Sequence, residues 1–297
     1  MAEERRRWTI IELLKWTADY LKEKKFDNGR LTGERLLAHV LKCRRVDLYV
    51  QFERPLNGDE LASYKSLLKR RLSHEPLQYI IGETEFFSLP FKVGPSVLVP
   101  RPETELLVEK VLAAASPWPE ARILDIGTGS GNIAISLAFH LPGARITAVD
   151  CSQAALALAL ENGQRNGVNE RIQWQEWNLF SDACPLPFPY DIVVSNPPYI
   201  RQADYDRLPA EIKNFEPSTA LLAGEDGLDA YKAIGRWSRT LLNTPGFAFM
   251  EIGADQATEV AALLALVGVH KDLAGYDRVR ESHARKVHTI HAASRTK

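Results

Sequence analysis

The sequence predicts an α/β protein in which a small helical domain precedes a mostly parallel, doubly wound sheet. Three observations support this fold class. Residues 1–82 show helical periodicity without strand-like alternation, residues 83–100 change to an extended pattern, and from residue 121 onward strand-length apolar runs alternate with helical patterns. Short connections between alternating elements are typical of a parallel sheet covered by helices. The predicted domains are therefore a helical domain at 1–82, a hairpin linker at 83–100 and an α/β domain at 101–297.

Three amphipathic segments define the helical domain. The first spans 9–24, where Thr9 and Glu12 have the spacing of a capping box. The second follows Thr32. The third opens at Asn57, which is a good N-cap residue, with Glu60 three positions later. Apolar residues at helical spacing predict that these segments pack into a small bundle.

The segment 83–100 carries apolar residues interrupted by Leu89-Pro90 and by Gly94-Pro95, which predicts a short hairpin or paired extended segments. Prolines then stop the extended chain, and a helix is expected to begin near Glu103.

In the α/β domain the predicted strands are 122–127, 145–150, 172–174, 190–196, 246–253 and two near 269–273 and 286–290. The predicted helices between them are 132–140, 153–167, 228–243 and 256–267. In such a sheet ligands bind beyond the carboxyl ends of the strands, so motifs that end strands are expected to share one cleft.

Composition and charge limit the functional classes. The chain has 297 residues and a net charge of −1, and no apolar stretch approaches the length of a membrane span. Its three scattered cysteines predict neither a disulfide framework nor a zinc site, and a cytoplasmic location is expected. Residues 1–80 carry 17 basic and 12 acidic residues (+5), whereas the remainder carries 20 and 26 (−6), which indicates two units with different partners.

A glycine-rich turn follows the first strand of the α/β domain, in the stretch LDIGTGSGNIA (124–134). Its glycines have GxGxG spacing, whereas a pyrophosphate-binding turn has GxGxxG. Asp125 precedes them, where a carboxylate would favour a cationic amine or sulfonium. This turn, Gly127-Thr128-Gly129-Ser130-Gly131, is the candidate cofactor-binding loop, and the pattern fits S-adenosylmethionine best.

Asp150 ends the next strand, 23 residues after Gly127, where an acidic side chain can bind both hydroxyls of a ribose. The alternative is that it caps the following helix, a role that Ser152 could share. Trp177 and Asn178 follow the third strand, where the fold usually contacts adenine; a Trp buried in the core is the alternative to stacking there.

Asn196-Pro197-Pro198-Tyr199 ends the fourth strand and is the candidate catalytic and substrate-binding motif. The amide oxygen of Asn196 and the main-chain carbonyl of Pro197 can accept hydrogen bonds from a planar NH2 group and stabilise the charge that develops on its nitrogen. Tyr199 can stack on that group, and Asn196 would also border the cofactor. The motif indicates methylation of a planar amino group without choosing between adenine, guanine and a glutamine or asparagine amide. The other interpretation is a proline-rich turn that merely ends a strand.

The chain resembles the PrmC/HemK-type protein-(glutamine-N5) methyltransferases, which modify the glutamine of the Gly-Gly-Gln motif in peptide-chain release factors. The motifs that carry the resemblance, besides SNPPY, are PRPETE (100–105), LDIGTGSGNIAISLA (124–138), AVDCSQAAL (148–156), EPSTALLAGEDGLDAY (216–231), MEIGADQ (250–256) and DLAGYDRVR (272–280). Ser88 stands where the family commonly has glycine, and EWNLF replaces a more usual acidic-Leu-Phe ending.

The resemblance implies a seven-stranded class I S-adenosylmethionine-dependent methyltransferase (Rossmann-like) core whose last strand is antiparallel. It implies that S-adenosylmethionine, with S-adenosylhomocysteine as product, binds at 127–131 and Asp150. It also implies that a release factor is the protein partner and that its glutamine amide binds at 196–199. Arg101 and Glu103 would close over the methionine end of the cofactor, although a proline-stopped helix start explains the same residues equally well.

Two other functions fit part of this pattern. A DNA or RNA amino-methyltransferase would use the same four-residue motif, but it would need a basic surface along the nucleic-acid backbone, and residues 81–297 are acidic. Direct nucleic-acid binding is therefore not expected. A dehydrogenase or nucleotide-binding module is disfavoured by the glycine spacing and by Asn-Pro-Pro-Tyr.

Overall fold

The computed structural model describes residues 8–187, 189–264, 268–270 and 286–291. Contacts between Cα atoms divide the chain into two units, Met1–Gly82 and Glu83–Lys297. The extended segment 83–100, predicted as a linker, therefore belongs with the second unit. No helix in the described ranges has the length and apolar character needed to cross a bilayer.

The first unit is helical. Its helices are α1 (Ile10–Glu23), α2 (Gly29–Leu41), α3 (Arg45–Val50), α4 (Gly58–Leu72) and α5 (Leu77–Ile81). The predicted capping boxes are present: Glu12 and Thr9 cap α1, and Glu60 and Asn57 cap α4. The second helix begins at Gly29, three residues before Thr32. The short helices α3 and α5 were not predicted, because five or six residues are too few to show a helical period.

The core of the first unit is formed by the apolar faces of these helices, including Leu21, Leu36, Leu37 and Leu48. Inside it, the hydroxyls of Thr17 and Tyr64 lie 2.8 Å apart and share a hydrogen bond.

The second unit opens with a hairpin of β1 (Glu83–Phe86) and β2 (Leu89–Lys92). Its two-residue turn is Phe87-Ser88, and both residues have positive φ, 50° and 60°. Such a turn matches the twist of a hairpin and favours glycine or asparagine, which agrees with the glycine that the resemblance led us to expect at Ser88. Leu89-Pro90, predicted as an interruption, lies within β2.

Most of the remaining helices connect one strand of the sheet to the next along the chain. They are α6 (Glu105–Ala115), α7 (Asn132–His140), α8 (Gln153–Arg165), α9 (Gln202–Tyr205), α10 (Ala210–Phe215), α11 (Asp229–Leu241) and α12 (Ala257–Leu264). A 3₁₀ turn, Pro102–Thr104, precedes α6.

Seven strands form the central sheet: β3 (Arg122–Ile126), β4 (Arg145–Asp150), β5 (Ile172–Glu176), β6 (Tyr190–Ser195), β7 (Leu242–Ile252), β8 (Gly268–His270) and β9 (Lys286–His291). Their order is β5-β4-β3-β6-β7-β9-β8. The first five strands match the predicted positions, although β7 begins four residues earlier than predicted. β3, β4, β6 and most of β7 are buried apolar runs, whereas β5 (IQWQE) is mostly polar and gave the weakest signal.

The orientation of the last strand differs from the expectation. β9 pairs parallel with both β7 and β8, so the antiparallel last strand implied by the resemblance is wrong for this structure. The direction of a strand depends on the connection that precedes it, and motifs elsewhere in the chain do not specify that direction. The motif quoted at 272–280 lies outside the described residues.

Candidate active site

The sheet reverses its direction of winding between β3 and β6, and the site forms at this switch point. Ile126 and Ser195 are paired at the carboxyl ends of these two neighbouring strands. Ser195 Oγ donates a hydrogen bond to the Ile126 carbonyl at 2.6 Å. The glycine-rich turn that begins at Gly127 and the motif that begins at Asn196 therefore start side by side, as expected for ligand sites in open α/β sheets.

The glycine-rich turn has the backbone geometry that requires glycine. Gly127, Gly129 and Gly131 have φ values of 73°, 55° and 80°. A Cβ added at Gly127 or Gly129 would meet nothing within 4 Å, whereas one at Gly131 would lie 2.9 Å from Ile135 Cδ1 and 3.2 Å from Ala159 Cβ. Gly127 and Gly129 thus leave room for a ligand, and Gly131 permits the loop to pack on the helices behind it.

Asp150, at the end of β4, holds the glycine-rich turn from the side. Its two carboxylate oxygens accept hydrogen bonds from Gly129 N and Ser152 N, each at 2.9 Å. The N-cap of α8 is Ser152, whose Oγ accepts from Ala155 N. Because Ser152 provides this cap, Asp150 is not needed for it. A carboxylate has further lone pairs for ligand hydroxyls.

Trp177 and Asn178 follow β5 at the same edge of the sheet. Trp177 is buried in the core, and its indole N–H donates to the Ala183 carbonyl at 3.0 Å. Asn178 Oδ1 accepts from Phe180 N at 2.9 Å. Trp177 is therefore a core residue, as the alternative interpretation predicted. It also lines a cavity next to the glycine-rich turn. Phe180 lines it too, and its side chain is 55% exposed, which makes it the more accessible aromatic surface.

A cavity of about 160 Å³ lies above these loops. It is lined by the predicted cofactor residues Gly127, Thr128, Gly129, Ser130, Asp150, Trp177, Asn178 and Asn196. Gly131 is absent from this lining, in agreement with its packing role. Open space above two left-handed glycines, with a carboxylate at one side, fits an adenosine ligand whose sugar hydroxyls bind Asp150.

Asn196 lies at the far wall of this cofactor cavity. Its side-chain Nδ2 donates to Thr104 Oγ1 at 3.1 Å, and Thr104 Oγ1 donates to Glu251 Oε2 at 2.7 Å. The amide nitrogen of Asn196 is therefore used within the protein. Its Oδ1 is left to accept hydrogen bonds from a ligand.

A second cavity, of about 630 Å³, lies on the other side of Asn196. Tyr199, Glu103 and Glu251 line this substrate cavity but not the cofactor cavity. Both cavities share Asn196 and Pro197 in their walls, together with Leu98, Arg101 and Ala220. A group bound in one cavity can therefore meet a group bound in the other at Asn196 and Pro197.

Arg101 and Glu103 were predicted to close over the cofactor. Arg101 lines both cavities and forms an ion pair of 2.6 Å with the buried carboxylate of Glu216. Glu103 lines only the substrate cavity. Arg101 therefore borders both cavities, and Glu103 borders only the second.

Sequence reasoning missed three polar residues of this site. Thr104 and Glu251 hold the Asn196 amide, and Gln256 Nε2 donates to the Tyr199 carbonyl at 3.1 Å. A signal was available for two of them, because Glu251 ends a buried apolar strand and Thr104 lies inside the quoted PRPETE motif.

A further connection ties the hairpin to the glycine-rich turn. The buried side chain of Asn162, on α8, donates to the carbonyl oxygens of Lys92 and Ser130, and its Oδ1 accepts from Lys92 N at 2.7 Å. Asn162 thereby joins β2 of the hairpin to the glycine-rich turn.

Two buried carboxyl groups next to the site have raised pKa values. Burial raises the pKa of Glu251 to about 7, against the effect of the hydrogen bond from Thr104. Burial also raises the pKa of Asp125 to about 7, and there Thr128 Oγ1 donates to Asp125 Oδ2 at 2.6 Å. Within the described ranges, no cluster of His, Cys, Asp and Glu is arranged to hold a metal ion.

Comparisons with known proteins agree over both units. The family model for the PrmC N-terminal domain matches residues 12–82, and the model for the methyltransferase small domain matches residues 102–214. The release factor glutamine methyltransferase of Geobacter sulfurreducens is 44% identical over 284 residues, covering 94% of this chain and 98% of that protein. The same-named protein of Chlorobaculum tepidum is 44% identical over 270 residues, covering 88% and 91%. That of Rhodopirellula baltica is 37% identical over 282 residues, covering 92% and 95%.

Proposed function

The chain belongs to the release factor glutamine methyltransferases, and from that premise we propose that its two cavities bring S-adenosylmethionine and a release-factor glutamine together at Asn196. The protein is an S-adenosylmethionine-dependent methyltransferase, and the acceptor is the side-chain amide nitrogen (N5) of that glutamine. One observation supports the site assignment: Asn196 and Pro197, the first two residues of the Asn-Pro-Pro-Tyr motif, lie in the walls of both cavities.

The cofactor side follows from the glycine-rich turn. Gly127 and Gly129 permit close approach of the ligand to the backbone, and Asp150 accepts hydrogen bonds from the ribose hydroxyls. Trp177 or the exposed ring of Phe180 contacts the adenine. When bound, S-adenosylmethionine supplies a methyl group that is open to attack by a nucleophile.

The acceptor side follows from the Asn-Pro-Pro-Tyr motif. An amide nitrogen is a poor nucleophile because its lone pair is delocalised into the carbonyl. Asn196 Oδ1 and the Pro197 carbonyl accept the two N–H bonds of the glutamine amide, which positions the nitrogen and stabilises its developing positive charge. The ring of Tyr199 packs on the planar amide. The surplus proton leaves after the new C–N bond has formed, so no general base is required beforehand.

The glutamine of the Gly-Gly-Gln motif is the acceptor that the family resemblance implies. A DNA or RNA base would present a similar NH2 group to Asn196, but residues 81–297 carry a net charge of −6, which opposes binding of a phosphate backbone. A protein substrate is therefore favoured over nucleic acid.

The helical unit is proposed to dock the intact release factor. Residues 1–80 carry a net charge of +5, and three apolar side chains at and just after α3 are exposed: Val46 (55%), Val50 (76%) and Phe52 (45%). Exposed apolar groups next to basic residues are typical of a protein-binding surface.

The cytoplasm is proposed as the location. All three cysteines, Cys43, Cys151 and Cys184, are free thiols, which suits a reducing compartment.

The decisive experiment offers radiolabelled S-adenosylmethionine with three acceptors: a release factor, its Gln→Ala variant in Gly-Gly-Gln, and duplex DNA. Label on the unmodified release factor alone supports the proposal. Label on DNA, or undiminished label on the Gln→Ala variant, overturns the assignment of the acceptor.

A further inference from the structure

We propose that Thr104 and Glu251 are positioning residues, which hold the Asn196 side chain in the one orientation that can accept hydrogen bonds from the substrate amide. The inference rests on the proposed function of Asn196 and adds a buried relay behind it. The relay runs from Glu251 through the Thr104 hydroxyl to Asn196 Nδ2, with hydrogen bonds of 2.7 and 3.1 Å.

The three residues come from separate parts of the chain. Thr104 ends the 3₁₀ turn before α6, Asn196 follows β6, and Glu251 lies near the end of β7, the strand beside β6. Thr104 is 1% exposed and Glu251 is 2% exposed. Both side chains are buried, so the surrounding protein determines their orientation and the geometry of the relay.

The direction of the hydrogen bonds follows from the chemistry of the groups. An ionised carboxylate only accepts, so the single hydroxyl proton of Thr104 is committed to Glu251. The Thr104 oxygen can then only accept from Asn196, and the donor must be Nδ2. A planar amide whose nitrogen faces Thr104 presents Oδ1 on its opposite side. In the reverse orientation Asn196 would present N–H groups to the N–H groups of the substrate, and no hydrogen bond could form.

A protonated Glu251 would remove this constraint. Its O–H could donate to Thr104, and the Thr104 hydroxyl would be free to donate to Asn196 Oδ1. The amide could then turn. Burial raises the pKa of Glu251 to about 7, so the relay is expected to change its state near neutral pH.

Other groups facing Glu251 come from the elements packed around it. Arg101 and Glu103 lie on the segment of Thr104 and act on the pKa of Glu251 in opposite directions, since Glu103 raises it and Arg101 lowers it. A direct side-chain hydrogen bond from Asn196 also lowers this pKa and adds to the link through Thr104. Tyr199, after β6, and Tyr231, on α11, also face it, and the Tyr231 hydroxyl donates to the main-chain carbonyl of Glu251 at 2.8 Å. Neither tyrosine is charged at neutral pH, because the pKa of each lies above its ordinary value.

The test compares Thr104→Val, Thr104→Ser and Glu251→Gln in the full-length protein, with a release factor as acceptor. Thr104→Val keeps the shape of the side chain but cannot relay a hydrogen bond, so we expect kcat to fall at least about tenfold while the dissociation constant for S-adenosylmethionine changes less than about twofold. Thr104→Ser keeps the hydroxyl, and we expect it to retain most of the activity.

The pH profile separates positioning from simple loss of structure. In the parent enzyme kcat should rise as pH increases through about 7, because ionised Glu251 fixes the amide. In Glu251→Gln this rise of kcat with pH should be absent. The pKa of the buried Asp125 is also raised to about 7. If kcat still rises with pH through this range in Glu251→Gln, the rise would be assigned to Asp125, and the role of Glu251 would be overturned.

A double variant tests whether the effect passes through Asn196. If Thr104 acts only by orienting Asn196, then adding Thr104→Val to Asn196→Ala should not lower kcat any further. Equal losses in both backgrounds, or a fully active Thr104→Val enzyme, would overturn the relay while leaving the proposed function intact. Absence of release-factor methylation by the parent protein would instead overturn the proposed function.

Discussion

Ser195 Oγ donates to the Ile126 carbonyl at 2.6 Å, and this hydrogen bond joins the last residues of β6 and β3. It brings the start of the cofactor loop and the start of Asn-Pro-Pro-Tyr to the same point of the sheet edge. The proposed sites for the methyl donor and its acceptor therefore lie at the ends of two adjacent strands, and the rigid sheet sets the distance between these sites.

Replacing Asn196 with Ala removes the side-chain acceptor for the glutamine amide. We expect a loss of roughly 2–4 kcal/mol of transition-state stabilisation, which is a fall in kcat of about 30- to 1000-fold. Binding of S-adenosylmethionine, measured by calorimetry, should change little. A variant with nearly normal kcat would contradict the proposed role of Asn196.

Replacing Asp150 with Asn should weaken binding of S-adenosylmethionine by about 10- to 100-fold, because a charged acceptor for the ribose and for Gly129 N is lost. Asp182→Asn is a matched control, since Asp182 is fully exposed and lies outside the cofactor cavity. An unchanged dissociation constant in Asp150→Asn would refute the ribose assignment.

The glycines of the cofactor loop should respond differently to Ala. Gly131→Ala introduces a Cβ 2.9 Å from Ile135 Cδ1 at a φ of 80°, so we expect it to lower the free energy of unfolding by about 1–3 kcal/mol. Gly129→Ala shares the strain of a left-handed φ, here 55°, but its Cβ meets open space, so we expect a smaller loss of stability and a larger effect on cofactor affinity. Urea unfolding without cofactor, together with calorimetry, checks both; equal stability losses would contradict the distinction.

The buried Asp125 should make stability depend on pH. Its pKa is raised to about 7 in the folded state from an ordinary value near 3.8, so its contribution to stability is present below about pH 4 and is lost as pH rises to about 7. Asp125→Asn keeps an acceptor for Thr128 but cannot ionise. We therefore expect the stability of the parent, relative to this variant, to fall by about 2 kcal/mol or more between pH 4 and pH 8. A constant difference between the two proteins in urea unfolding would disprove the assignment.

The exposed apolar residues at and just after α3 test the docking role of the helical unit. Val46→Ser, Val50→Ser and Phe52→Ser combined should raise KM for an intact release factor about 5- to 50-fold, and leave KM for a short glutamine peptide unchanged. Leu160→Ser, at an apolar residue that is 38% exposed on α8, is the control. Equal effects on both substrates would remove the docking role.

Much of the fold was predictable because its signals are local. The capping boxes at Thr9 and Asn57, the apolar runs of β3, β4, β6 and β7 and the glycine-rich turn depend on neighbouring residues along the chain. The rule that parallel strands open to ligands at their carboxyl ends then placed Asp150 and Asn196 in one cleft. Short helices such as α3 and α10 could not be predicted, because one or two turns carry no readable period.

Local sequence patterns were enough to predict residues that line one cavity, namely two left-handed glycines, Asp150 and Asn196. The orientation of the Asn196 side chain depends instead on long-range contacts. Its partner Thr104 lies 92 residues away, and Thr104 reaches Glu251 across a further 147 positions. Strand order and the packing of the segment before α6 against β7 determine these contacts. A pattern of nearest neighbours does not encode them, because a hydrogen bond between distant residues depends on where the whole sheet places them.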